Sequence, residues 1–276
     1  MTDTLANVHL SFIGCGVMAE SMIAGLLRQN LITPDKIVGS HPREARRSEL
    51  ETTYGIKMFK SNAEAVSRAT DPVVVLSVKP QRISNVLSDL KGAVAANGLV
   101  ISIVAGAKVE TISAALGTDH VVRAMPNTPS QIGAGITAWT CDENVTDQER
   151  AQVRGLLSAL GKELYVETEN MIDMATSLSA TGPTYIFMVM EALTDAGVHL
   201  GFSRDLAKEL VQETMLGSVK FAMASHKHPA ELRNMVTSPG GTSAEAIYQM
   251  EKGTLRTVLS KAVYAAYKRA VDLGKK

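Results

Sequence analysis

Short apolar runs of strand length alternate with helical patterns through the first 166 residues. Several of these runs are apolar on both faces, which is typical of strands that lie between two helix layers. This alternation predicts βαβ units and a parallel sheet. The predicted strands are Val8–Ile13, Lys36–Gly39, Ile56–Phe59, Val73–Val78, Leu99–Val104 and Val121–Met125.

Helical patterns fill the stretches between these strands. Thr146 and Glu149 have the spacing of a capping box, which predicts a helix that runs to about Leu160, and Leu164–Val166 follows as a predicted last strand. Two other segments carry apolar residues at helical spacing on one face. They are Ile83, Val86, Leu87 and Leu90 in one, and Val109, Ile112 and Leu116 in the other.

The alternation stops near Glu167, and helical patterns interrupted by glycine and proline follow. We therefore predict an N-terminal α/β domain over residues 1–166 and an all-α domain over 167–276. The run Tyr185–Met190 is apolar on nearly every side of a helix and needs complete burial. A second subunit would supply that burial, so we expect at least a homodimer, with room for a higher oligomer built from dimers. A central core helix in a monomer is the alternative.

Composition and charge restrict the class of partner. The chain has 276 residues, and its 28 basic and 28 acidic residues cancel. This balance argues against nucleic acid and anionic membrane surfaces and favours a small molecule. No apolar run is long enough to cross a bilayer, no signal peptide is expected from Met1 to Asn7, and two cysteines are typical of a reducing compartment. We expect a cytoplasmic protein.

A GxGxxA motif directly follows the first predicted strand and opens a helix. Gly14 permits a tight turn, Gly16 lets a pyrophosphate approach the backbone, and Ala19 allows close packing of helix on strand. In this context the motif predicts a Rossmann domain that binds a dinucleotide, although a purely structural turn is the alternative. The candidate cofactor residues here are Gly14, Cys15, Gly16, Val17 and Met18.

The end of the second predicted strand indicates which dinucleotide is preferred. An NAD site usually has an acidic residue there for the ribose hydroxyls. Here Ser40 and Arg43 precede the first acidic residue, Glu44, and a hydroxyl with a guanidinium suits a 2′-phosphate. We expect NADPH to be preferred and NADH to be possible. Arg46 and Arg47 are interpreted as solvated charges on the next helix.

Three loop segments have the composition of functional sites. Val78–Pro80 and Met125–Pro129 follow the fourth and sixth strands, at the carboxyl edge where open α/β sheets bind ligands. The third, Thr237–Ser243, has two glycines before a predicted helix, and its free backbone N–H groups would suit a small carboxylate. No metal site is expected, because His226 and His228 have no nearby cysteine or carboxylate pair.

Several motifs in this order resemble the Δ1-pyrroline-5-carboxylate reductase family along essentially the whole chain. The resemblance implies a Rossmann domain, a helical domain intertwined with that of a partner subunit, and reduction of pyrroline-5-carboxylate to proline by NADPH or NADH. The motifs are Phe12–Ala19, Ser77–Pro80, Arg123–Pro129, Leu178–Pro183 and Val236–Ser243, followed by Glu245-Ala246.

The resemblance also implies roles for individual residues. It places Ser40 and Asn62 near the adenosine part of the cofactor, and Asn127 is a further predicted cofactor contact. The predicted contacts on the nicotinamide side are Ser77, Val78, Lys79, Pro80 and Ala105. The substrate loop would comprise Ser238, Gly240, Gly241, Thr242 and Ser243.

Two positions depart from the family pattern. The family usually has Ser-Gly-Ser-Gly-Pro where this chain has Ser179-Ala-Thr-Gly-Pro183, and it commonly has threonine at the position of Ser243. Because serine keeps the hydroxyl, the predicted chemistry survives. We expect Ser243 to be the catalytic residue, hydrogen-bonding the imine nitrogen and helping to supply its proton.

Three other interpretations remain open at this point. Lys79 could act as an acid, although a cofactor contact or a solvated charge explains it equally well. A β-hydroxyacid dehydrogenase would reduce a carbonyl and use a lysine early in the helical half, yet residues 171–205 contain none. A dinucleotide-sensing protein without catalysis could share the fold.

Overall fold

A computed structural model of the chain describes residue 5 and residues 7–275. Residues 1–4 and 6, on which the expectation about a signal peptide largely rests, lie outside this description. Eight strands form one sheet in the described part. They are β1 (Leu10–Ile13), β2 (Ile37–Ser40), β3 (Lys57–Phe59), β4 (Val73–Leu76), β5 (Val100–Ser102), β6 (Val121–Met125), β7 (Gly135–Cys141) and β8 (Gly161–Tyr165).

The sheet has the strand order β3-β2-β1-β4-β5-β6-β7-β8. All neighbours pair in parallel except β6 and β7, so the last two strands run opposite to the other six. The order reverses between β1 and β4, and ligands of open α/β sheets bind outside the carboxyl ends of the strands at such a point.

Helices connect the strands and then continue alone. Their bounds are α1 (Val17–Arg28), α2 (Glu44–Tyr54), α3 (Asn62–Ser67), α4 (Ile83–Asp89), α5 (Val109–Leu116), α6 (Asp147–Ser158), α7 (Glu169–Ala175), α8 (Gly182–His199), α9 (Arg204–Ser225), α10 (Pro229–Met235), α11 (Thr242–Lys252) and α12 (Leu255–Leu273). Short 3₁₀ helices cover Pro34–Lys36, Pro80–Arg82 and Thr128–Ile132, and a π-helical turn covers Thr176–Ala180.

The central strands are buried on both faces because helices cover both sides of the sheet. In β4, Val73 and Val75 join one hydrophobic cluster, whereas Val74 and Leu76 join a second cluster on the opposite face. Alternate residues of a strand point to opposite faces, so both sets must be apolar. The prediction from the sequence pattern of a sheet between two helix layers is confirmed.

Sequence and structure differ at a few elements. The predicted capping box of α6 is present, with Thr146 Oγ1 accepting from the Glu149 amide. The helix, however, ends at Ser158 and not at the predicted end near Leu160. Strand β8 begins at Gly161, three residues before the predicted last strand. Strand β7 was not predicted, because it follows β6 through a 3₁₀ turn and so interrupts the strand-helix alternation.

The described chain divides into two compact units. The larger one runs to Thr181 and includes the last turns of α12 from Ala266 onward, and the smaller one comprises Gly182–Ala265. The domain boundary near residue 167, drawn from the pattern, stays a prediction. Among the described residues, no helix is long and apolar enough to span a membrane.

Candidate active site

The glycine loop between β1 and α1 has the geometry that a pyrophosphate requires. Gly14 has a φ of 87°, and a Cβ there would lie 2.3 Å from the Val78 side chain. Gly16, by contrast, faces open space and precedes α1 without a side chain to bond the first-turn amides. Ala19 is fully buried against the core. The loop therefore leaves room and free N–H groups for an anion at the start of α1.

Cys15 lies inside the glycine loop but points into the protein. Its side chain is completely buried, and its Sγ lies 3.6 Å from the Phe12 carbonyl oxygen. Burial raises the pKa of the Cys15 thiol to about 12. The contribution of Cys15 to a cofactor site is thus limited to its backbone. Val17 is exposed and Met18 half-buried at the start of α1.

The interpretation of Arg46 and Arg47 as solvated charges is wrong. Arg46 Nε donates to the Cys15 carbonyl oxygen over 3.2 Å, and its guanidinium pairs with Glu20 at 2.5 Å. Arg47 Nη1 donates to the carbonyl oxygens of His41 and Pro42. Both side chains brace backbone in the candidate cofactor site. Sequence spacing carries no signal for the Arg46 contacts, because they join segments that are distant along the chain.

Ser40, at the end of β2, is buried, and its hydroxyl donates to Asn62 Oδ1 at 2.8 Å. The Asn62 amide in turn donates to Asp89. The two residues that the resemblance places near the adenosine are therefore bonded to each other. The carbonyl oxygen of Ser40 also accepts from the amides of Gly14 and Cys15, which joins β2 to the glycine loop.

The segment after Ser40 is electropositive. The Arg43 side chain is exposed at the start of α2, and Arg46 and Arg47 lie close by. Burial, followed by the positive charge of these three arginines, lowers the pKa of His41 below its usual range. The positive charge of this segment would favour a bound phosphate. Of the three arginines, Arg43 is the exposed one and could reach such a phosphate.

The segment after β4 lies beside the glycine loop. The Ser77 hydroxyl donates to the carbonyl oxygens of Gly14, at 2.8 Å, and Ile13, at 3.2 Å. The Val78 side chain packs against Gly14 so closely that a Cβ on Gly14 would overlap it. Lys79 is exposed and precedes the 3₁₀ helix that begins at Pro80. Ser77 and Val78, which follow β4, are therefore brought together with the glycine loop at one edge of the sheet.

Asn127 lies in the loop after β6, and both the oxygen and the nitrogen of its side-chain amide form hydrogen bonds. Its Oδ1 accepts from the Ile136 amide at 2.9 Å, and its Nδ2 lies 3.4 Å from the Ser179 carbonyl oxygen. Ser179 belongs to the π-helical turn Thr176–Ala180 and is the first residue of the segment Ser179–Pro183, which departs from the family pattern. The structure thus gives Asn127 a bracing contact, and its predicted contact with a cofactor stays a prediction.

Arg123 is a buried cation that the sequence reasoning did not single out. It is 2% exposed on β6 and pairs with Asp173 at 2.6 Å and with Glu169 at 3.0 Å, both on α7. Glu169 also accepts from the first amide of α5, that of Val109, at 2.9 Å. One ion-pair cluster therefore connects β6, α5 and α7 beside the carboxyl edge of the sheet.

The candidate substrate loop lies in the smaller unit. Gly240 has a φ of 71°, and Gly241 is the N-cap of α11 without a side chain to bond the first amides. Ser238, Gly240 and Thr242 are exposed, and Ser243 is half-buried in the first turn of α11. Free backbone N–H groups and a hydroxyl therefore share one helix N-terminus, as the sequence pattern predicts.

The histidines that could suggest a metal have other roles. His228 is the N-cap of α10, and its Nδ1 accepts from the Ala230 amide at 3.2 Å. His226 ends α9 with a φ of 55°. Within the described part of the chain, no group of three histidine, cysteine or carboxylate side chains could hold a metal ion.

Comparison with known proteins identifies the family. Residues 169–273 match the family model for pyrroline-5-carboxylate reductase dimerisation, and residues 9–106 match the one described as NADP oxidoreductase, coenzyme F420-dependent. The pyrroline-5-carboxylate reductase of Synechocystis is 38% identical over 98% of this chain and 100% of its own length. The chain belongs to the pyrroline-5-carboxylate reductase family. The family named from the sequence motifs is confirmed.

Solved structures of the same family confirm the fold. Plasmodium falciparum pyrroline carboxylate reductase, solved with NADP bound, superposes with a TM-score of 0.89 at 29% identity, covering 98% of this chain and 99% of that one. The Coxiella burnetii pyrroline-5-carboxylate reductase gives 0.87 at 35% identity, with the same coverage of each chain. The predictions of an oxidoreductase with a Rossmann domain followed by a helical dimerisation domain are confirmed.

Proposed function

We propose that this chain reduces L-1-pyrroline-5-carboxylate to L-proline, the last step of proline biosynthesis, with NADPH in preference to NADH. The observation that carries this proposal is the uncapped N-terminus of α11, where Gly240 and Gly241 precede the Ser243 hydroxyl. A substrate with a carboxylate next to an imine needs an anion site and a polar group for its nitrogen. Family membership supports the same substrate.

The chain's own residues bind and orient the reactants. The amides at the start of α11 hold the substrate carboxylate, and the Ser243 hydroxyl donates a hydrogen bond to the imine nitrogen and helps to protonate it. The glycine loop and the first turn of α1 hold the cofactor pyrophosphate. When bound, the reduced nicotinamide supplies the hydride to the imine carbon. Holding the nicotinamide and the imine in the geometry for hydride transfer accounts for most of the rate acceleration.

Turnover is the first test. NADPH and NADH consumption is followed by absorbance with pyrroline-5-carboxylate present, and proline is measured as product. Oxidation of cofactor with matching formation of proline supports the reductase. Cofactor binding without cofactor oxidation would favour a dinucleotide-sensing protein. Cofactor oxidation only with the carbonyl compound whose reduction gives a β-hydroxyacid would favour the dehydrogenase alternative.

The role of Ser243 is tested by two substitutions. Ser243→Ala removes the hydroxyl and should lower kcat by about 10²-fold, because one group that aids proton transfer contributes on that order. Ser243→Thr keeps the hydroxyl and should retain most of the activity. Wild-type turnover by Ser243→Ala would exclude this residue from the mechanism.

The preference for NADPH rests on Arg43, whose exposed guanidinium follows the buried Ser40 at the end of β2. Arg43→Ala should reduce the ratio of kcat/KM for NADPH to that for NADH by about tenfold, since a hydrogen bond to a charged group is lost. Arg68→Ala, which removes an exposed arginine of the same domain, is the matched control. An unchanged ratio in Arg43→Ala would contradict the assignment.

We also propose a homodimer, in keeping with the family model for dimerisation that covers residues 169–273. Ile186, Phe187 and Met188 on α8 are 50%, 59% and 65% exposed in the single chain. Exposure of several large apolar side chains on one helix is typical of an interface. Sedimentation equilibrium would show whether the protein is a dimer, a multiple of dimers or a monomer. A cytoplasmic location likewise stays a prediction.

A further inference from the structure

The loop that follows β5 belongs to the half of the sheet that would face the nicotinamide. In a doubly wound sheet the dinucleotide lies across the switch point, here between β1 and β4, with one mononucleotide on each side. Ser40 and Arg43 follow β2 on one side, and Ala105 follows β5 on the other. The position of Ala105 therefore bears on the nicotinamide rather than on the adenosine.

The β5 loop packs backbone against backbone with the end of α12. Gly106 has a φ of 77°, and a Cβ there would lie 2.7 Å from the Leu273 carbonyl carbon and 2.8 Å from the Gly274 nitrogen. A Cβ on Gly274 would lie 3.0 Å from the Gly106 carbonyl oxygen. Because the opposing atoms are backbone, they cannot rotate away as a flexible side chain would.

The last turns of α12 are held firmly enough to act as a support. Ala270 is 3% exposed, and the Tyr267 hydroxyl lies 3.1 Å from Asn170 Oδ1 on α7. The Gly274 amide donates to the Val271 carbonyl oxygen at 3.1 Å, which closes the end of the helix. Contacts of the larger unit therefore hold this turn in place.

A cavity of about 230 Å³ adjoins the same contact. Pro80, Ala105, Lys108 and Leu273 are among the residues that line it. Since empty volume lies next to the loop, the loop has space into which it can shift when the contact with α12 is altered. The contact between Gly106 and the end of α12 is therefore what restrains the loop next to Ala105.

We propose that the last turn of α12 is a positioning element for the nicotinamide half of the cofactor site. Through the contact between Gly106 and Leu273-Gly274, it holds Ala105 where the nicotinamide ring is placed for hydride transfer. This inference rests on the proposed function for its chemistry, and it assigns a role to a segment more than 160 residues away from the loop.

The first test is Gly106→Ala, which places a Cβ against the α12 backbone. NADP⁺ and 2′-phospho-ADP-ribose, which lacks the nicotinamide, are titrated by calorimetry against the substrate-free protein. We expect NADP⁺ affinity to fall by about tenfold while 2′-phospho-ADP-ribose affinity stays within twofold, and kcat to fall at least as much, because small misplacements in a site are costly.

Gly117→Ala is the matched control. Gly117 has a φ of 74°, nearly that of Gly106, but no heavy atom lies within 4 Å of a Cβ there. It therefore reproduces the backbone strain without the contact, and the two ligands should bind it as they bind the wild type. If Gly117→Ala shows the same selective loss, strain alone explains the effect and the proposal is wrong.

A chain shortened after Asp272 tests the contact from the other side and does not depend on Gly106→Ala folding. Removal of residues 273–276 should also weaken NADP⁺ selectively and should speed hydrogen exchange of the amides in 104–108. Gly106→Ala in the shortened chain should add less than it does in the full chain, because its opposing atoms are gone.

The proposal is overturned if the shortened chain binds NADP⁺ within twofold of the wild type, or if both ligands weaken equally. It is also overturned if the two changes add fully. Because the calorimetric comparison needs no substrate, it separates the two proposals. If the wild-type protein fails to reduce pyrroline-5-carboxylate but the two variants show the selective loss, the proposed function is contradicted and the role of α12 stands.

Discussion

The ion-pair cluster of Arg123, Asp173 and Glu169 gives the sharpest prediction about stability. Arg123→Met keeps a similar volume and removes the charge, which leaves the Asp173 carboxylate without its partner. The Arg123 side chain is 2% exposed and that of Asp173 is 12% exposed, so water can replace little of the lost interaction. Glu169, at 31%, is better solvated and keeps its bond to the Val109 amide.

The expected magnitude follows from this difference in burial. Breaking a buried pair by removing one partner costs about 3 to 5 kcal/mol, and the partial exposure of Asp173 places this case near the lower end. For a protein of this size, about 3 kcal/mol corresponds to a fall in Tm of roughly 6 to 12 °C. Scanning calorimetry at one fixed protein concentration measures it, since association makes Tm depend on concentration.

The double variant Arg123→Met, Asp173→Leu is the internal control. Replacing both partners by apolar side chains removes the unpaired carboxylate, so most of the lost stability should return. A fall of less than 2 °C in Arg123→Met would refute the reasoning, as would a double variant that is no more stable than the single one.

Two further predictions concern Cys15 and the capping box of α6. With its pKa near 12, about one Cys15 thiol in ten thousand is ionised at pH 8, so iodoacetamide should label the half-buried Cys141 first and Cys15 only after unfolding; mass mapping that finds Cys15 labelled as fast would contradict this. Thr146→Ala should lower the free energy of unfolding in urea by about 1 kcal/mol. The control Thr52→Ala removes a threonine hydroxyl from an exposed face of α2 without removing a helix cap, and it should leave the free energy of unfolding nearly unchanged.

Local patterns predicted the elements that depend on local physics. The buried strands are apolar on both faces because two helix layers cover them, and this shows directly in runs such as Val73–Leu76. The GxGxxA turn and the capping box of α6 depend on residues a few positions apart, and both were found from spacing alone. Family motifs then supplied the substrate class, which spacing and composition do not contain.

The contacts that unite distant segments could not be read from spacing. Arg46 and Arg123 look like any other arginines in the chain, yet one braces the glycine loop and the other joins β6 to α7. Strand β7 breaks the strand-helix alternation because it returns antiparallel after a short turn.

The alternation of apolar residues and the glycine motifs were enough to predict a Rossmann domain, its glycine loop and a helical second half, because each arises from neighbours along the chain. The partners of Arg46 and Arg123, and the packing of Gly274 on Gly106, depended on the folded arrangement. Those contacts join residues that come together only after the sheet and helices have packed, so no local preference records them.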